Sequence, residues 1–219
     1  MTDNAFPVTE RNKVKRVPLR GAYDRESVFA VLDACHICHV GYVVDGQPYV
    51  TPTLLWRDGD TLYWHGSSAS RMLRTVKTGV DVCVTASLFD GWVLARSGFH
   101  HSANYRSVMA YGKARALETE AEKDAALKVM MDGLFPGRWE EIRPSTKQEL
   151  KGTTVVAMRI EEAAAKVRTG GPVDDDADYA LPVWAGVLPA RQIYEAPVAD
   201  AKLAEGTLFP TTLAGYLPD

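Results

Sequence analysis

Apolar residues recur with a helical period between residues 24 and 35, the first clear pattern in the chain. Val28, Val31 and Leu32 of "DRESVFAVLDAC" fall on one face of such a helix. Asp24 precedes them and belongs to the residue types that cap helix N-termini. The pattern therefore predicts an amphipathic helix that begins next to Asp24.

The next pattern is the alternation typical of strands. The stretch "HVGYVVDGQPYVTPTLLW" at 39–56 contains two β-rich runs on either side of Asp45-Gly46, a dipeptide that favours a two-residue hairpin turn. "RDGD" at 57–60 predicts a second turn, and "TLYWH" at 61–65 predicts a strand after it. Three strands in succession, joined by short turns, are therefore expected.

Helix and strand patterns alternate in the next hundred residues. "SSASRMLRTVKTG" at 67–79 predicts a short helix that starts at serine and ends at Gly79. Asp90-Gly91 predicts a turn between two strands, and Pro136-Gly137 ends an amphipathic helix over 120–135. The further strands predicted are 81–89, 92–100, 105–117 and 153–160.

The two ends of the chain carry weaker patterns. Residues 1–20 predict an extended arm, and residues 161–219 a mixed C-terminal extension that includes a polar, mobile loop at 170–178 and an apolar stretch at 179–197. No repeat or linker divides the chain, so we expect a single domain over 1–219. Many strands with hairpin turns and few helices predict a mainly β protein, an antiparallel barrel with flanking helices.

Composition and charge narrow the range of functions. The chain is 46% hydrophobic and 24% charged, as soluble globular proteins are. A net charge of -3 gives no electrostatic footprint for nucleic acid or an anionic membrane. No apolar run approaches the roughly 20 residues of a membrane span, and the N-terminus lacks a secretory signal pattern. The three cysteines, an odd number, suit a reducing compartment, so a cytoplasmic protein is predicted.

The stretch "CHICH" at 35–39 matches the C-x-x-C-H pattern of covalent haem attachment. Cytochrome maturation requires export, and no export signal is present, so we do not expect that chemistry. A zinc site is also rejected, because four ligands within five consecutive residues can hardly surround one tetrahedral ion. Cysteine is an ordinary core residue at a junction of helix and strand, and this is the interpretation we favour.

Small hydroxyl residues and arginine follow the strand that ends at His65. Ser67, Ser68 and Ser70 lie at or near the predicted helix start, where free N–H groups and the helix dipole favour an anion. Arg71 can bind a phosphate with two hydrogen bonds. The residues therefore predict a phosphate site, although a capping serine and a surface arginine would explain the same pattern.

A second polar cluster lies in "GFHHSANYRSVMAYGKA" at 98–114. Its side chains could line a site, or they could belong to a solvated loop that precedes a strand. No Ser-His-Asp order and no H-E-x-x-H motif occurs in the chain, so neither hydrolase nor metalloprotease chemistry is predicted. The polar residues of this cluster are His100, His101, Asn104, Tyr105, Arg106 and Ser107.

Taken together, these stretches resemble the pyridoxamine 5'-phosphate oxidase-related flavoproteins, the FMN-binding split barrels, and most of all the branch that includes nitroimidazole-resistance-type proteins. The resemblance is carried by 39–74, by 82–115 and by "WAGVLP" at 184–189. It covers roughly residues 24–160 and continues more weakly to about 190. It implies an antiparallel six-stranded split barrel that binds FMN.

The resemblance also implies roles for individual residues. Pro52, Thr53, Leu54 and Leu55 form the strand whose backbone faces the flavin ring, and His65, Gly66 and Ser67 run beside the ribityl chain and phosphate. Ser70 and Arg71 hold the phosphate. The remaining assignments are Ser107, which reaches the flavin across a dimer, Tyr111 next to Gly112 at the end of the same strand, and Trp184, which either covers the partner's flavin or plugs the barrel.

Two departures from the family pattern limit the implied activity. Met72 stands where the oxidases commonly have lysine, and their C-terminal arginine-and-histidine signature is not visible after Trp184. Oxidation of pyridoxamine phosphate is therefore not expected, whereas FMN binding is.

The implied function is an FMN-dependent oxidoreductase that acts on a small molecule as a homodimer, with FMN at the subunit interface. NADH, NADPH or a deazaflavin would supply electrons. His100 and His101 would orient the substrate or donate a proton, since histidine titrates near neutrality. Two alternatives stay open: a flavin-binding protein for storage or sensing, and a haem-binding split barrel.

Overall fold

A computed structural model describes residues 4–76 and 78–217 of the chain. Within these residues there are ten β-strands and four α-helices. In chain order the strands are β1 Gly21–Ala22, β2 Ile37–Val44, β3 Gln47–Leu54, β4 Trp56–Asp58, β5 Thr61–Ser67, β6 Thr78–Leu94, β7 Ser102–Ala116, β8 Thr153–Arg159, β9 Glu162–Arg168 and β10 Gly186–Pro189. The α-helices are α1 Arg25–Ala34, α2 Arg71–Val76, α3 Glu120–Leu134 and α4 Lys147–Gly152.

Short 3₁₀ helices complete the regular structure. They are Pro18–Arg20, Gly98–His100, Trp139–Glu141, Asp176–Ala180 and Thr211–Tyr216. Of the predicted elements, part of the 1–20 arm (residues 1–3), Lys77 of the 67–79 helix and residues 218–219 of the extension lie outside the described residues. In the part of the chain that the structure describes, no helix is long and apolar enough to span a bilayer.

Local signals position the first helix and the first hairpin as predicted. The Asp24 carboxylate accepts a hydrogen bond from the Ser27 backbone N–H at 2.8 Å, and the predicted apolar face of α1 is buried. Asp45 and Gly46 both have positive φ, 49° and 78°, as a two-residue hairpin turn that matches the strand twist requires. The β2–β3 hairpin is therefore confirmed.

Antiparallel pairing connects the strands into one sheet that curls into a barrel. The strand order is β3-β2-β6-β7-β8-β5-β4; β9 pairs with β7 and β1, and β10 pairs with β6. The mainly β fold with flanking helices is confirmed as a split barrel. The expected count of six strands is too low, because β1, β9 and β10 pair only through long-range contacts and carry weak local patterns.

The turn predicted at Asp90-Gly91 is wrong. These residues form a bulge within β6, a single strand of 17 residues, where the pairing with β7 shifts register. Gly91 has φ 141°, and a Cβ there would lie 2.4 Å from the Leu188 carbonyl oxygen. Glycine is needed at this position for the close approach of β10, and the chain continues straight past it.

The C-terminal extension is anchored, and the loop at 170–178 is not the free polar loop that its composition suggests. The Asp174 side chain is fully buried and accepts hydrogen bonds from the backbone N–H and the Nη1 of Arg96, both at 2.9 Å. Farther on, the extension reaches α3, where the Tyr216 hydroxyl donates to the Leu134 carbonyl and its ring lies 5.8 Å from that of Phe135. The extension thus ties two sides of the barrel together.

Apolar side chains fill the barrel beneath α1 and α2. The largest fully buried side chain is that of Trp64, and it is surrounded by apolar residues of β5, β6, β7 and β8. A smaller core lies under α3 around Trp56 and Leu117. The core therefore fixes the inner face of the sheet and leaves the outer face of β2, β3, β6 and β7 uncovered by the described residues of this chain.

Candidate functional site

Strand β3 ends the strand order, so one of its edges has no neighbouring strand among the described residues. Pro48 and Pro52 lack an N–H and suit positions whose amide points away from β2. The N–H of Leu55 donates to the His36 carbonyl at 3.1 Å. Because alternate residues of an antiparallel strand point their amides to opposite sides, the Val50 and Leu54 amides and the Pro52 carbonyl face the open edge.

The predicted ring-facing residues 52–55 divide between the two faces of the sheet. Leu55 is buried in the core, and Thr53 pairs with the buried Cys38. Pro52 is exposed on the outer face, where the register continues through His39 and Thr85. The open edge therefore offers backbone groups, as the resemblance implies, with few side chains in the way.

Strand β5 and the turn after it lie next to β3. A Cβ on Gly66 would lie 3.1 Å from the Leu73 side chain, so the absence of a side chain lets α2 pack closely on β5. The His65 ring lies against Trp56, with centroids 5.6 Å apart, and burial lowers its pKa. Its buried Nδ1 has no hydrogen-bond partner among the described residues. This ring packs on the α3 side of the sheet. A contact between His65 and β3 would therefore involve the His65 backbone.

Hydrogen bonds within the protein already occupy part of the predicted phosphate site. The N–H of Ser68 donates to the Gly152 carbonyl at 3.3 Å, and the N–H of Ser70 donates to the Ser67 carbonyl at 2.9 Å. The N–H of Ala69 donates to the Ser67 hydroxyl at 3.3 Å. These bonds leave the Ser70 hydroxyl and the Arg71 guanidinium available for an anion.

Arg71 is exposed and reaches across the gap toward β3. Its guanidinium carbon lies 5.4 Å from the centroid of the Tyr49 ring, close enough for a cation–π contact. Met72, which stands in the place of the family's lysine, is buried in the core beneath α2. Met72 therefore supplies no second cation, and the open edge of β3 and Arg71 border one groove, called here the β3 groove.

Ser107 lies far from the β3 groove of its own chain. The outer-face register runs from Pro52 through His39 and Thr85 to Met109, which is two residues from Ser107. Three strand spacings and two residues correspond to about 15 Å. The Ser107 hydroxyl donates to the Lys166 carbonyl at 3.2 Å. Ser107 therefore does not border the β3 groove of its own chain, and its predicted contact with flavin across a dimer stays a prediction.

Tyr111 and Gly112 occupy the middle of β7. The Arg11 guanidinium lies 4.6 Å from the centroid of the Tyr111 ring, so the N-terminal arm covers this side chain, and burial raises its pKa. A Cβ on Gly112 would lie 2.2 Å from the Arg159 carbonyl oxygen. The glycine is thus required where β8 leaves β7, which is a structural role.

His100 and His101 lie at the N-terminal end of β7, beside a cleft of about 490 Å³. The Nε2 of His100 is 3.5 Å from Asp175 Oδ2, and the Nδ1 of His101 is 2.8 Å from the Ser97 carbonyl oxygen. Tyr105 lines the same cleft. The structure therefore brings both predicted catalytic histidines to one cavity, away from the β3 groove of the same chain.

Trp184 is 63% exposed, so it does not plug the barrel of its own chain. Its ring packs edge-on against Gly186, where a Cβ would lie 3.0 Å from it. The other predicted role, covering the flavin of a partner, stays a prediction.

The "CHICH" cysteines are core residues, as predicted. Burial raises the pKa of the Cys38 thiol to about 12, and Cys35 is also buried, with its Sγ 3.1 Å from the Ile37 carbonyl oxygen. Thiols in this state are poorly suited to thioether formation. Among the described residues no group of three or more metal-ligating side chains occurs.

The patterns in the sequence did not indicate a second cavity, called here the β6 cleft. It has a volume of about 730 Å³ and lies along β6 between the start of β2 and the end of β10. His36 and Arg191 stand on its walls, and Arg106 binds Asp90 at its base with a shortest distance of 2.8 Å. The bulge at Asp90 makes this space, and it was missed because Asp90-Gly91 reads locally as a turn.

Comparisons with known proteins fit this architecture. No curated protein matches the chain. Among solved structures, the flavocytochrome Anf3 from Azotobacter vinelandii is 44% identical, with 94% of this chain and 96% of that chain covered and a TM-score of 0.89. The FAD and heme binding protein from Mycobacterium smegmatis is 35% identical, with 90% and 97% covered and a TM-score of 0.86.

A more distant similarity is one of fold alone. A protein from Bacteroides thetaiotaomicron named for resistance to 5-nitroimidazole antibiotics is 24% identical, with 67% of this chain and 86% of that chain covered and a TM-score of 0.55. The family model described as pyridoxamine 5'-phosphate oxidase matches residues 24–167, about two thirds of the sequence and all of the barrel from α1 to β9. The chain therefore belongs to the pyridoxamine 5'-phosphate oxidase family.

Proposed function

We propose that this protein binds a flavin in the β3 groove of one chain and uses it to pass electrons from a reduced nicotinamide or a deazaflavin to a small molecule. The observation that carries the proposal is the open edge of β3, which no strand pairs within the described residues, together with the position of Arg71 beside Tyr49 of the same strand. The names of the two similar structures support it, since one is a flavocytochrome and the other binds FAD and heme.

The residues of the groove fit a flavin. The amides of Val50 and Leu54 offer donors and the Pro52 carbonyl an acceptor along the open edge, which suits a ring system with imide groups at its rim. Arg71 offers a fork of donors for a phosphate. Exposed Pro52 gives an apolar surface on the outer face. These groups would bind and orient the flavin, and none of them is an acid or base that titrates near neutrality.

A bound flavin supplies hydride and electron chemistry by itself. The work left to the chain is to hold the ring, shape access to it and supply protons. His100 is suited to the last task because its ring is only partly exposed and is held near the Asp175 carboxylate. It would act on the flavin of a partner, next to that copy's β3 groove.

The test is a titration of apo-protein with FMN and, separately, with FAD, followed by quenching of flavin fluorescence. We expect saturable binding at one flavin per subunit. Release of the cofactor from the purified protein and its identification by mass will decide between FMN, which the sequence resemblance implies, and FAD, which a relative's name suggests. Absence of quenching by both flavins would remove the proposal.

Turnover distinguishes an oxidoreductase from a protein that stores or senses flavin. Anaerobic addition of NADH, NADPH or a reduced deazaflavin should bleach the bound flavin, and a nitroaromatic or quinone acceptor should restore its colour. A flavin that none of the three donors bleaches would favour the storage or sensing role.

The proposal includes a homodimer with flavin sites between the two chains. The outer face of the sheet carries large apolar side chains that the described residues of one chain leave exposed, and two-fold pairs are the commonest assemblies. These side chains are Ile37, Val43, Val50, Phe89 and Met109.

Light scattering should give a dimer mass for the wild-type protein and a monomer mass for Met109→Asp, because a carboxylate buried in the interface would lack a partner. Val198→Asp is the matched control, since Val198 is 95% exposed in the extension. A monomeric wild-type protein with flavin bound would contradict the two-chain site.

Haem binding is a second candidate function, in addition to flavin. The β6 cleft falls within the roughly 300–1,000 Å³ of ligand sites, and His36 on its wall is a possible axial ligand. The Tyr194 hydroxyl lies 3.3 Å from the Nε2 of His36 and would have to move. Arg191, which also lines the cleft, would be available for the propionates, whereas Arg106 is paired with Asp90.

Reconstitution with hemin tests this candidate through the Soret band. We expect His36→Ala to abolish the band shift of a histidine-ligated haem and His39→Ala, on the exposed outer face, to keep it. Equal spectra for the two variants would place the haem elsewhere, and no Soret band in the wild-type protein would remove the candidate.

A further inference from the structure

Four basic side chains converge on the cleft beside His100, called here the basic cleft. Arg16 and Arg20 come from the N-terminal arm, and Lys166 and Arg168 from β9. Within the described residues, no carboxylate oxygen lies within 4.0 Å of a charged nitrogen of these four residues. The chain as a whole has a net charge of -3, so this concentration of positive charge is local.

Arg168 is the most deeply buried of these four basic residues. It is 92% buried, counted from its 8% exposure, and its Nη1 donates to the Asn104 Oδ1 at 2.6 Å. Asn104 is itself fixed by donating to the Gly170 carbonyl at 3.1 Å. Burial and the charge of Arg20 lower the pKa of Arg168. A buried guanidinium without an anionic partner is unfavourable, and Arg168 is one of the residues that line the cavity.

The nearby acids do not neutralise this cluster. Asp174 already forms an ion pair with Arg96 on the other side of the loop. Asp175 faces only His100, at 3.5 Å, and its side chain is largely exposed. The cleft is thus lined by positive charges from the arm and from β9, and Val173, next to the anchored Asp174, also lines it.

The backbone of the arm is strained where it supplies two of the cations. Val17 has φ 54° and ψ 66°, a left-handed conformation that β-branched residues rarely adopt. It lies between Arg16 and the turn that carries Arg20, and it lines the cleft itself. Strained backbone of this kind persists where the surrounding structure enforces it and is concentrated at functional sites.

The basic cleft is distant from the Arg71 end of the barrel. Strand β7 has 15 residues and spans about 45 Å. The basic cleft lies at its start, near Tyr105, whereas Thr78, the first residue of β6 and close in sequence to α2, pairs near its end, at Arg115. One phosphate therefore cannot contact Arg71 and Arg168 of the same chain.

We propose that the basic cleft is a second anion site and binds a phosphate-bearing ligand with two or more negative charges. Guanidinium groups bind phosphate oxygens with paired, charge-assisted hydrogen bonds, and Arg20 and Arg168 both line the cavity. The ligand has two possible sources with the same chemistry: the diphosphate of a flavin dinucleotide held mainly by a partner chain, or a separate phosphate-bearing substrate or electron donor.

The probe is inorganic pyrophosphate, titrated calorimetrically into flavin-free full-length protein at constant ionic strength set with sodium chloride. We expect binding to the wild-type protein and at least about tenfold weaker binding for Arg20→Gln and Lys166→Gln, since each removes one charged hydrogen-bond partner. Arg168→Gln should act likewise, and Arg20, on the surface arm, keeps the test valid if Arg168→Gln fails to fold. Arg138→Gln, an arginine paired with Glu141 outside the cleft, is the matched control.

Two results would overturn the proposal: no pyrophosphate binding to the wild-type protein, or equal weakening in Arg20→Gln and Arg138→Gln. The source of the anion follows from repeating the titration on loaded protein. Binding lost with FAD but kept with FMN identifies the dinucleotide diphosphate, and binding kept with both identifies a separate ligand. The apo-protein titration does not depend on flavin binding, so failure of the proposed flavin function would leave this test intact.

Discussion

The Arg71 guanidinium lies 5.4 Å from the Tyr49 ring, and this contact joins α2 to the open edge strand β3. The two residues belong to elements that share no backbone ladder. Their contact places a cation at one end of the β3 groove, while the edge of β3 supplies neutral donors and acceptors along its length. The groove therefore has a charged end and a neutral side, as a ring with a phosphate tail requires.

Arg71→Ala should weaken FMN binding about thirtyfold, because a charge-assisted contact to phosphate contributes about 2 kcal/mol. Riboflavin, which lacks the phosphate, should bind the variant and the wild-type protein alike. Fluorescence titration measures both affinities. Arg74→Ala, on the same short helix and also exposed, is the control and should leave FMN affinity nearly intact. If Arg71→Ala binds FMN as the wild-type protein does, the phosphate contact lies elsewhere.

His100→Ala should slow reoxidation of the reduced protein by a nitroaromatic or quinone acceptor while FMN affinity stays nearly unchanged. A positioned proton donor contributes on the order of a hundredfold or more in rate, and in the proposed dimer His100 belongs to a different chain from the Arg71 that holds the phosphate of the same flavin. Stopped-flow absorbance follows the reaction. His101→Ala is run beside it, since the His101 ring is held by the Ser97 carbonyl and a smaller effect is expected. Equal rates for all three proteins would exclude a catalytic role of either histidine.

Gly112→Ala should destabilise the fold by about 1–3 kcal/mol or more, because the new methyl group would overlap the Arg159 carbonyl oxygen and the backbone cannot give way easily. Gly133→Ala is the control, and a change in stability of the opposite sign is expected for it. No atom lies within 4 Å of a Cβ at that position in α3, so alanine there should raise stability by up to about 1 kcal/mol. Urea unfolding gives both changes. An unaltered midpoint for Gly112→Ala would mean that β8 can shift away from β7.

Asp174→Asn should lower stability at neutral pH and lose its effect in acid. Burial alone would raise the pKa of Asp174, but the hydrogen bonds and charge of Arg96 outweigh it and hold the pKa below its usual range. A carboxyl with a depressed folded-state pKa stabilises the fold above its unfolded pKa of about 3.9 and ceases to do so as the pH falls through the folded value. The gap in urea midpoint between the two proteins should therefore be constant from pH 8 to about 5 and close below about 4.

Asp176→Asn is the control for that series, because Asp176 is an exposed neighbour in the same loop. Its midpoint should follow the wild-type protein at every pH. A gap between Asp174→Asn and wild type that persists unchanged in acid would show that packing of the side chain, and not its charge, holds the loop.

The sequence predicted those features that a few neighbouring residues determine. Asp45-Gly46 forms its hairpin because both residues can adopt positive φ and nothing else competes for them. The same dipeptide at 90–91 forms a bulge, because β7 and β10 keep pairing with β6 on either side. Pairing partners that are distant in sequence leave no trace in a local pattern, and this is why the strand count was too low.

In the candidate site, too, local features could be predicted from the sequence, and features that depend on tertiary contacts could not. A phosphate role for Ser70 and Arg71 could be predicted from residue type and spacing and stays a prediction, whereas the loss of nearby amides to Gly152 and Ser67 depends on tertiary contacts. The basic cleft could not be found from the sequence at all. Its cations are separated by some 150 residues and become neighbours only because β9 pairs with β7 and the arm folds over both.

Strand β10 has a consequence for how fragments of this protein would behave. The family model ends at residue 167, whereas β10 occupies 186–189 and closes the side of β6 that β2 leaves open. A fragment cut at the family boundary would expose that stretch of β6, with Trp92 and its unpaired amides, as a ready template for another chain. Such a fragment would aggregate through pairing of its exposed strand edges. The extension therefore protects the barrel from aggregation.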